Sequence, residues 1–518
     1  MRWIAACPGV ATGSPSSGAG TEPRVRGTAD VTGAECLPYP VHHVRANKLH
    51  LLECSGLLCY VVPRVRCRSA CRSPKGEPVE TGRNVEELLR FAREELKQLS
   101  EEGCDTWELE RKASLIAEEK GPDQLKRARA LCEALANLKP SADFTYEEPS
   151  ELEQIRAHRP DGPRHIAVRL SAATLEQRTL GSWLGRISGC MLGKPMEGWR
   201  KEKIDDLLDV CGLDELTDYL PVPPKNNRGI EFPRWTYSCL RGHVSGSVRD
   251  DDIDYTIIGL CILEQHGREF TPRQVAEFWL NHVPYHCTYT AERVAYRNFV
   301  NGIWPPQSAA YRNPYREWIG AQIRADAFGY ACPGRPEEAA GLAFKDACVS
   351  HVKNGIYGEM WVAATLAAAF ATDEPEKAIR IGLSEIPGNC RLAEAINKVL
   401  SWREQKVPAE EVTDKVLSEF GSYHGVHTIN NAAIVAMGLL WGEKDFSRSI
   451  GLAVRAGLDT DCNGATTGSV LGAILGAMGI PEHWTAPLND RVETIVAGQS
   501  GLTVAGLAVR TRKVQEAR

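Results

Sequence analysis

Four glycines stand four residues apart in GSWLGRISGCMLGKPMEGW (Gly181, Gly185, Gly189, Gly193), and four more do so in NGATTGSVLGAILGAMG (Gly464, Gly468, Gly472, Gly476). A glycine inside a helix costs about 1 kcal/mol relative to alanine, so a row of four costs roughly 4 kcal/mol per helix before compensation. The spacing itself names the compensation. Rows at i, i+4 make a shallow face on which two backbones can meet, as in ridge-into-groove packing at about −50°. The membrane-dimer reading of the same spacing fails because both segments are too polar and too short to span a bilayer. Two buried, closely packed soluble helices are therefore expected.

The ends of the ladders carry acids. Pro195 should break the first helix and leave Glu197 just beyond its C-terminus, while Asp459 and Asp461 lie just before the second helix begins. Antiparallel packing would bring all three to one end of the bundle, and a Glu197–Asp461 separation above roughly 11 Å, two helical turns, would exclude it. A third group, RDDDIDYT, packs Asp250, Asp251, Asp252 and Asp254 ahead of the apolar run Ile257–Leu263. Each group alone reads more simply as an acidic helix cap or a solvated loop. Helix N-termini favour carboxylates by about 0.3–1 kcal/mol, yet adjacent like charges repel. A cation resolves that conflict, and hard oxygen donors without Cys/His pairing favour Mg²⁺ or Mn²⁺ over zinc.

The surroundings are those of a helical globular protein. The 518 residues are 43% hydrophobic and 25% charged, ordinary globular values that exclude a disordered or fibrous chain. Strand-like alternation is scarce and the fold class is all-α. Residues 1–83, rich in Gly, Pro, Ser and Arg, read as a basic, low-complexity extension without a fold. Residues 84–140 read as a helical accessory module, 141–177 as a linker and lead-in, 178–497 as the main domain and 498–518 as a tail. Pro122 suits the first turn of the module's third helix. The stretch Pro221–Arg249 reads as a long loop, a common place for function.

Sixty-one basic residues against 67 acidic give a net charge of −6, but residues 1–85 carry 11 against 6 and the rest 50 against 61. A body at −11 is a poor match for nucleic acid phosphates, so a small ligand or a protein substrate is the expected partner. The 17 scattered cysteines fit reduced thiols in the cytoplasm rather than a secreted disulfide scaffold. Cys54/Cys59 and Cys67/Cys71 lack zinc-ligand spacing. Organelle targeting by the arginine-rich start is compatible with its composition. No membrane span is expected, and the protein is expected to be a monomer.

GSWLGRISGCMLGKPMEG, VRDDDIDYT, SHVKNGIYGEM and AGLDTDCNGATTG, in that order between residues 178 and 497, resemble the ADP-ribosylglycohydrolase family. The resemblance implies an all-α orthogonal bundle with a binuclear metal centre holding two Mg²⁺, with Mn²⁺ as the alternative. It implies that Asp250, Asp251, Asp252, Asp459 and Asp461 are metal ligands, and that Glu197, Asp252 and Asp461 serve catalysis. His351, Arg324 and Asp326 overlie substrate-lining positions. The implied reaction is metal-assisted hydrolysis of the glycosidic bond between ADP-ribose and an acceptor, either a protein side chain or a small molecule. Three positions depart from the family pattern: Asp250 places a carboxylate where relatives carry a hydroxyl, and Ile253 and Cys462 stand where relatives carry threonine. A soft thiol is a poor substitute at a hard cation, which keeps open a catalytically weak ADP-ribose-binding or scaffold protein. Another metal-dependent nucleoside or nucleotide N-glycosidase shares the same residues.

Overall fold

The ladders pack, and each rung is identifiable. In the computed structural model, which describes residues 84–119, 121 and 123–517, the first ladder lies on the helix Ala172–Gly193 and the second on Thr460–Leu475. A Cβ placed on Gly181, Gly185 or Gly189 would lie 2.4, 2.0 or 1.9 Å from the carbonyl oxygens of Gly472, Gly468 and Gly464, and the reverse contacts are equally short. Gly193 meets Thr460 instead, whose hydroxyl donates to the Gly193 carbonyl at 2.8 Å. Gly476 sits at φ +73 as the C-cap of its helix, opposite Gln177. The reciprocal glycine rungs thus number three. Near-constant distances along about 18 Å of helix mean that the two axes run almost antiparallel; helices crossing at −50° would diverge within two turns.

In chain order, the elements that position the site are α1 (Val85–Glu101), α2 (Trp107–Glu118), α3 (Gln124–Leu135), α4 (Ala172–Gly193), α5 (Asp251–His266), α6 (Asn354–Ala369), α7 (Thr428–Trp441), α8 (Phe446–Arg455), α9 (Thr460–Leu475) and α10 (Val504–Glu516). Among the described residues there is no sheet, only isolated bridges. Local sequence sets the ends. Ser171 caps α4, its side chain accepting from the Thr174 N–H at 3.1 Å. Pro195 falls in the 3-10 turn Lys194–Met196 that follows α4. Helices α6, α7 and α9 are buried on nearly every face, which matches their apolar, small-residue composition. Together with α4 and α5 they form the centre of one large hydrophobic core.

Helices α1–α3 have a smaller core of their own, including Leu88, Ala92, Leu96, Ala128, Leu131 and Leu135. The module docks on the main body through buried charge: Arg316 pairs with Glu95 and Glu102, Gln98 donates to Glu317 at 2.7 Å, and Lys353 pairs with Glu102. Residues 141–177 hold more structure than a linker needs. They contain the helix Leu152–His158, and Glu148 and Arg159 pair with Arg391 and Glu385. The end of the chain is likewise a packed element. In α10 the residues Val504, Leu507, Ala508, Thr511 and Val514 face inward, and Thr511 accepts from the Trp183 indole N–H at 3.0 Å. The stretch 221–249 is largely irregular, with one 3-10 turn at Arg234–Cys239. No described helix is long and apolar enough to cross a membrane. The basic extension, its cysteine pairs and Pro122 lie outside the described residues.

Candidate metal centre

The antiparallel rungs carry the chain ends together. After α4, Gly198 turns at φ +74 and its N–H donates to the Leu458 carbonyl at 2.8 Å, while the Leu458 N–H donates to the Trp199 carbonyl at 2.9 Å. Leu458 itself is held at φ +65, a conformation a branched residue adopts only where its surroundings impose it. This backbone pairing fastens Glu197 beside the start of α9. Carboxylate oxygens of Glu197, Asp459 and Asp461 lie within 4.8 Å of one another, and so do those of Asp250, Asp252 and Asp461. Asp461 belongs to both groups. Asp251, half-buried, adjoins them without falling in either.

Helix α5 supplies the second group because Asp250 is its N-cap, accepting from the Asp252 N–H at 2.9 Å. Its geometry is set from below by Arg186. That side chain is fully buried within the glycine ladder; it donates to the Asp252 carbonyl at 2.8 Å and pairs with Asp326 at 2.8 Å. Lys194, the first residue beyond α4, pairs with Asp250. Sequence spacing alone singles out neither cation. The signal was present for Arg186: an arginine among small and apolar ladder residues is a buried charge that requires a partner.

The electrostatics are those of crowded carboxylates. Neighbouring Asp461, then desolvation, then Asp250 and Asp251 push Glu197 well above the usual range, although it stands at the exposed rim. Burial, followed by the charge of Asp250, raises Asp251 to about 7. Asp252, Asp459 and Asp461 are raised by burial first and by like-charged neighbours second. At Asp250 burial acts in the same direction, but Lys194, the Asp252 N–H and Arg249 outweigh it and hold the group low.

A cation fits this set. The donors are all hard oxygens, and Asp461 Oδ1 is buried without a hydrogen-bond partner. The two departures from the threonine pattern contribute no such donor. Ile253 is wholly within the apolar core, and Cys462 is buried with its thiol pushed well up by burial and by Asp252, Asp459 and Asp461, so it stays protonated.

The ADP-ribosylglycohydrolase family model matches residues 171–515, well over half of the chain and including both ladders, all six acids and all but the last residue of α10. The chain belongs to the ADP-ribosylglycohydrolase family. A solved structure described as an ADP-ribosylglycohydrolase-related protein complex is also similar, at 18% identity with a TM-score of 0.38, covering 66% of this chain and 99% of that one. No curated protein matches. Membership in the ADP-ribosylglycohydrolase family points to glycosyl-hydrolase activity.

The three residues expected to line the substrate of such a glycohydrolase sit deeper than that role requires. Arg324 is enclosed by Glu292, Asp346 and Glu359, which take up its guanidinium. Asp326 is fully buried against Arg186, Tyr330 and Ser469. His351 is also fully buried, with Nδ1 2.8 Å from the Ser350 hydroxyl, and is kept neutral by burial and by Arg324. A buried ion pair broken by removing one partner costs about 3–5 kcal/mol, so Arg324 and Asp326 cannot turn toward a ligand cheaply. Of the three, Asp326 alone is linked to the acids, through Arg186, which also bonds Asp252.

Proposed function

We propose that the protein hydrolyses the glycosidic bond joining ADP-ribose to an acceptor, using a divalent-cation centre at the end of the glycine ladders. The observation that carries this reading is the pair of carboxylate groups joined through Asp461, one of whose oxygens is buried and unpartnered. Asp250, Asp252, Asp459 and Asp461 would hold Mg²⁺ or Mn²⁺, with Asp251 beside them, and two ions match the two groups. Bound there, such ions would supply Lewis-acid activation of a water and a template for the ribose hydroxyls.

The chain's own part follows from the geometry. Glu197 stands at the rim, where a substrate enters, and its exposed carboxylate beside Asp459 and Asp461 is placed to accept a proton there. It takes the proton from the water attacking ribose C1″ and can return it to the departing acceptor. The surrounding carboxylates favour the positive charge that develops on the ribose as the bond to the acceptor breaks. Arg186 holds Asp252 in place throughout. The substrate is an ADP-ribosylated protein or an ADP-ribose-containing small molecule.

Cys462 favours one variant of this reading, since a soft thiol stands in place of an oxygen donor and is a poor partner for a hard cation, which would leave one ion weakly held. A protein of that kind binds ADP-ribose and turns over slowly. Release of ADP-ribose from arginine-, serine- and nucleotide-linked substrates, with Mg²⁺ and with chelator, separates the two. The hydrolase reading expects chelator-sensitive release from one of these linkages and none from Asp461→Ala; binding of ADP-ribose without release from any of them supports the weaker variant.

A further inference from the structure

Asp459 is held through its backbone by a single buried side chain. Asn431, in the first turn of α7, accepts at Oδ1 from the Asp459 N–H at 3.3 Å and from the Asn463 side-chain amide at 2.8 Å. The Asn463 N–H in turn donates to the Asp459 carbonyl at 2.9 Å. On its other side the Asn431 amide donates to the carbonyls of Gly425 and His427 at 2.9 and 2.8 Å. Asn431 is fully buried, so removing it leaves the Asp459 N–H, the Asn463 amide and the His427 carbonyl without this buried partner.

The turn it grips, residues 424–427, is also gripped from the far side. Glu101, the last residue of α1, accepts from the His424 N–H at 3.1 Å, and Asn430 donates to the His424 carbonyl at 3.0 Å. The His424 ring stacks on Trp318, 4.1 Å between centroids. Ile319 and Thr428 complete the frame, the first donating to the Val426 carbonyl and the second to the Glu317 carbonyl. The turn therefore lies between the helical module and the acidic segment before α9.

We infer that Asn431 is a positioning residue for Asp459, and that the helical module braces the acidic centre through Glu101 and the 424–427 turn. The inference rests on the cation reading of the centre. Groups that orient metal-holding side chains typically change metal affinity by about 10–100-fold when removed, and Asn431 orients the segment that carries two of the acids.

The test is Mn²⁺ titration of the full-length protein, with free Mn²⁺ read by electron paramagnetic resonance and folding checked by circular dichroism. Asn431→Ala is expected to weaken Mn²⁺ binding by about 10–100-fold, and Glu101→Ala, which touches none of the acids, to weaken it less. A purely structural role would lower the melting temperature and leave the affinity unchanged; that result in folded Asn431→Ala overturns the inference. Should Asn431→Ala not fold, unchanged affinity in Glu101→Ala overturns it. Absence of Mn²⁺ binding by the wild type would instead sink the cation reading itself, and this inference with it.

Discussion

Substituting Gly189 by alanine adds one methyl group at the tightest rung of the ladder. Its Cβ would lie 1.9 Å from the Gly464 carbonyl oxygen and 2.3 Å from the carbonyl carbon. Ordinary contact begins near 3.4 Å, so α4 and α9 must separate locally by about 1.5 Å, the difference between 3.4 and 1.9. No side-chain rotation relieves the clash, because the obstacle is helical backbone. Overpacking costs about 1–3 kcal/mol, and alanine returns roughly 1 kcal/mol of helix propensity. With backbone as the obstacle the upper end applies, for a net loss of about 2 kcal/mol. The control is Gly341→Ala, on the helix Pro336–Ala347, where a Cβ meets nothing nearer than an Arg156 nitrogen at 3.7 Å. There the same substitution should stabilise by about 0.5–1 kcal/mol. Urea denaturation of both variants measures the opposite signs, and Gly189→Ala should also weaken Mn²⁺ binding because the rung adjoins the acids. Wild-type stability and Mn²⁺ affinity in Gly189→Ala would refute the argument from backbone contact.

Three further outcomes are expected. Asp461→Asn removes a carboxylate that is crowded by Asp250 and partly unpartnered, so the metal-free protein should melt at a higher temperature while losing Mn²⁺ affinity; a lower melting temperature contradicts the crowding. The raised acids, Asp251 at about 7 among them, make the folded metal-free protein bind more protons than the unfolded chain between about pH 4 and 7. Their contribution to stability therefore falls as pH rises through that window. A cation competes with those protons, so stabilisation by Mn²⁺, read as a melting shift, should grow from pH 5.5 to 8; a pH-independent shift argues against binding at these groups. Arg186→Met leaves Asp326 buried without its partner and should cost about 3–5 kcal/mol, measured by the same denaturation, with retained stability as the contrary result.

The part of the centre legible in sequence was the part encoded by spacing. Glycines at a fixed period state that two helices touch, and acids placed just outside both helices then have to meet if the packing is antiparallel. The approach of Glu197 to Asp461 follows from that packing, and the backbone pairing of Gly198 and Trp199 with Leu458, which no spacing announces, completes it. The crossing angle was not legible, because it rests on which rungs pair: Gly193 faces Thr460 rather than a glycine, and Gly476 is a C-cap rather than a ladder residue. Helix α10 was readable from Val504, Leu507, Ala508, Thr511 and Val514, an inward face at helical period, but its polar remainder resembles a tail. Arg324, Asp326 and His351 illustrate the opposite limit. Their burial is fixed by Glu292, Asp346, Glu359 and Arg186, partners up to 140 residues away, which no local pattern announces. Asn431 is of the same kind, since its role exists only once the turn before α7 and the start of α9 are side by side.

The central claim, that the acids gathered by the glycine ladders form a divalent-cation centre, is tested most directly by anomalous diffraction from crystals grown with Mn²⁺. Manganese peaks are expected among Glu197, Asp459 and Asp461 and among Asp250, Asp252 and Asp461, absent in Asp461→Ala. Manganese bound elsewhere, or no peak at these carboxylates, would contradict it.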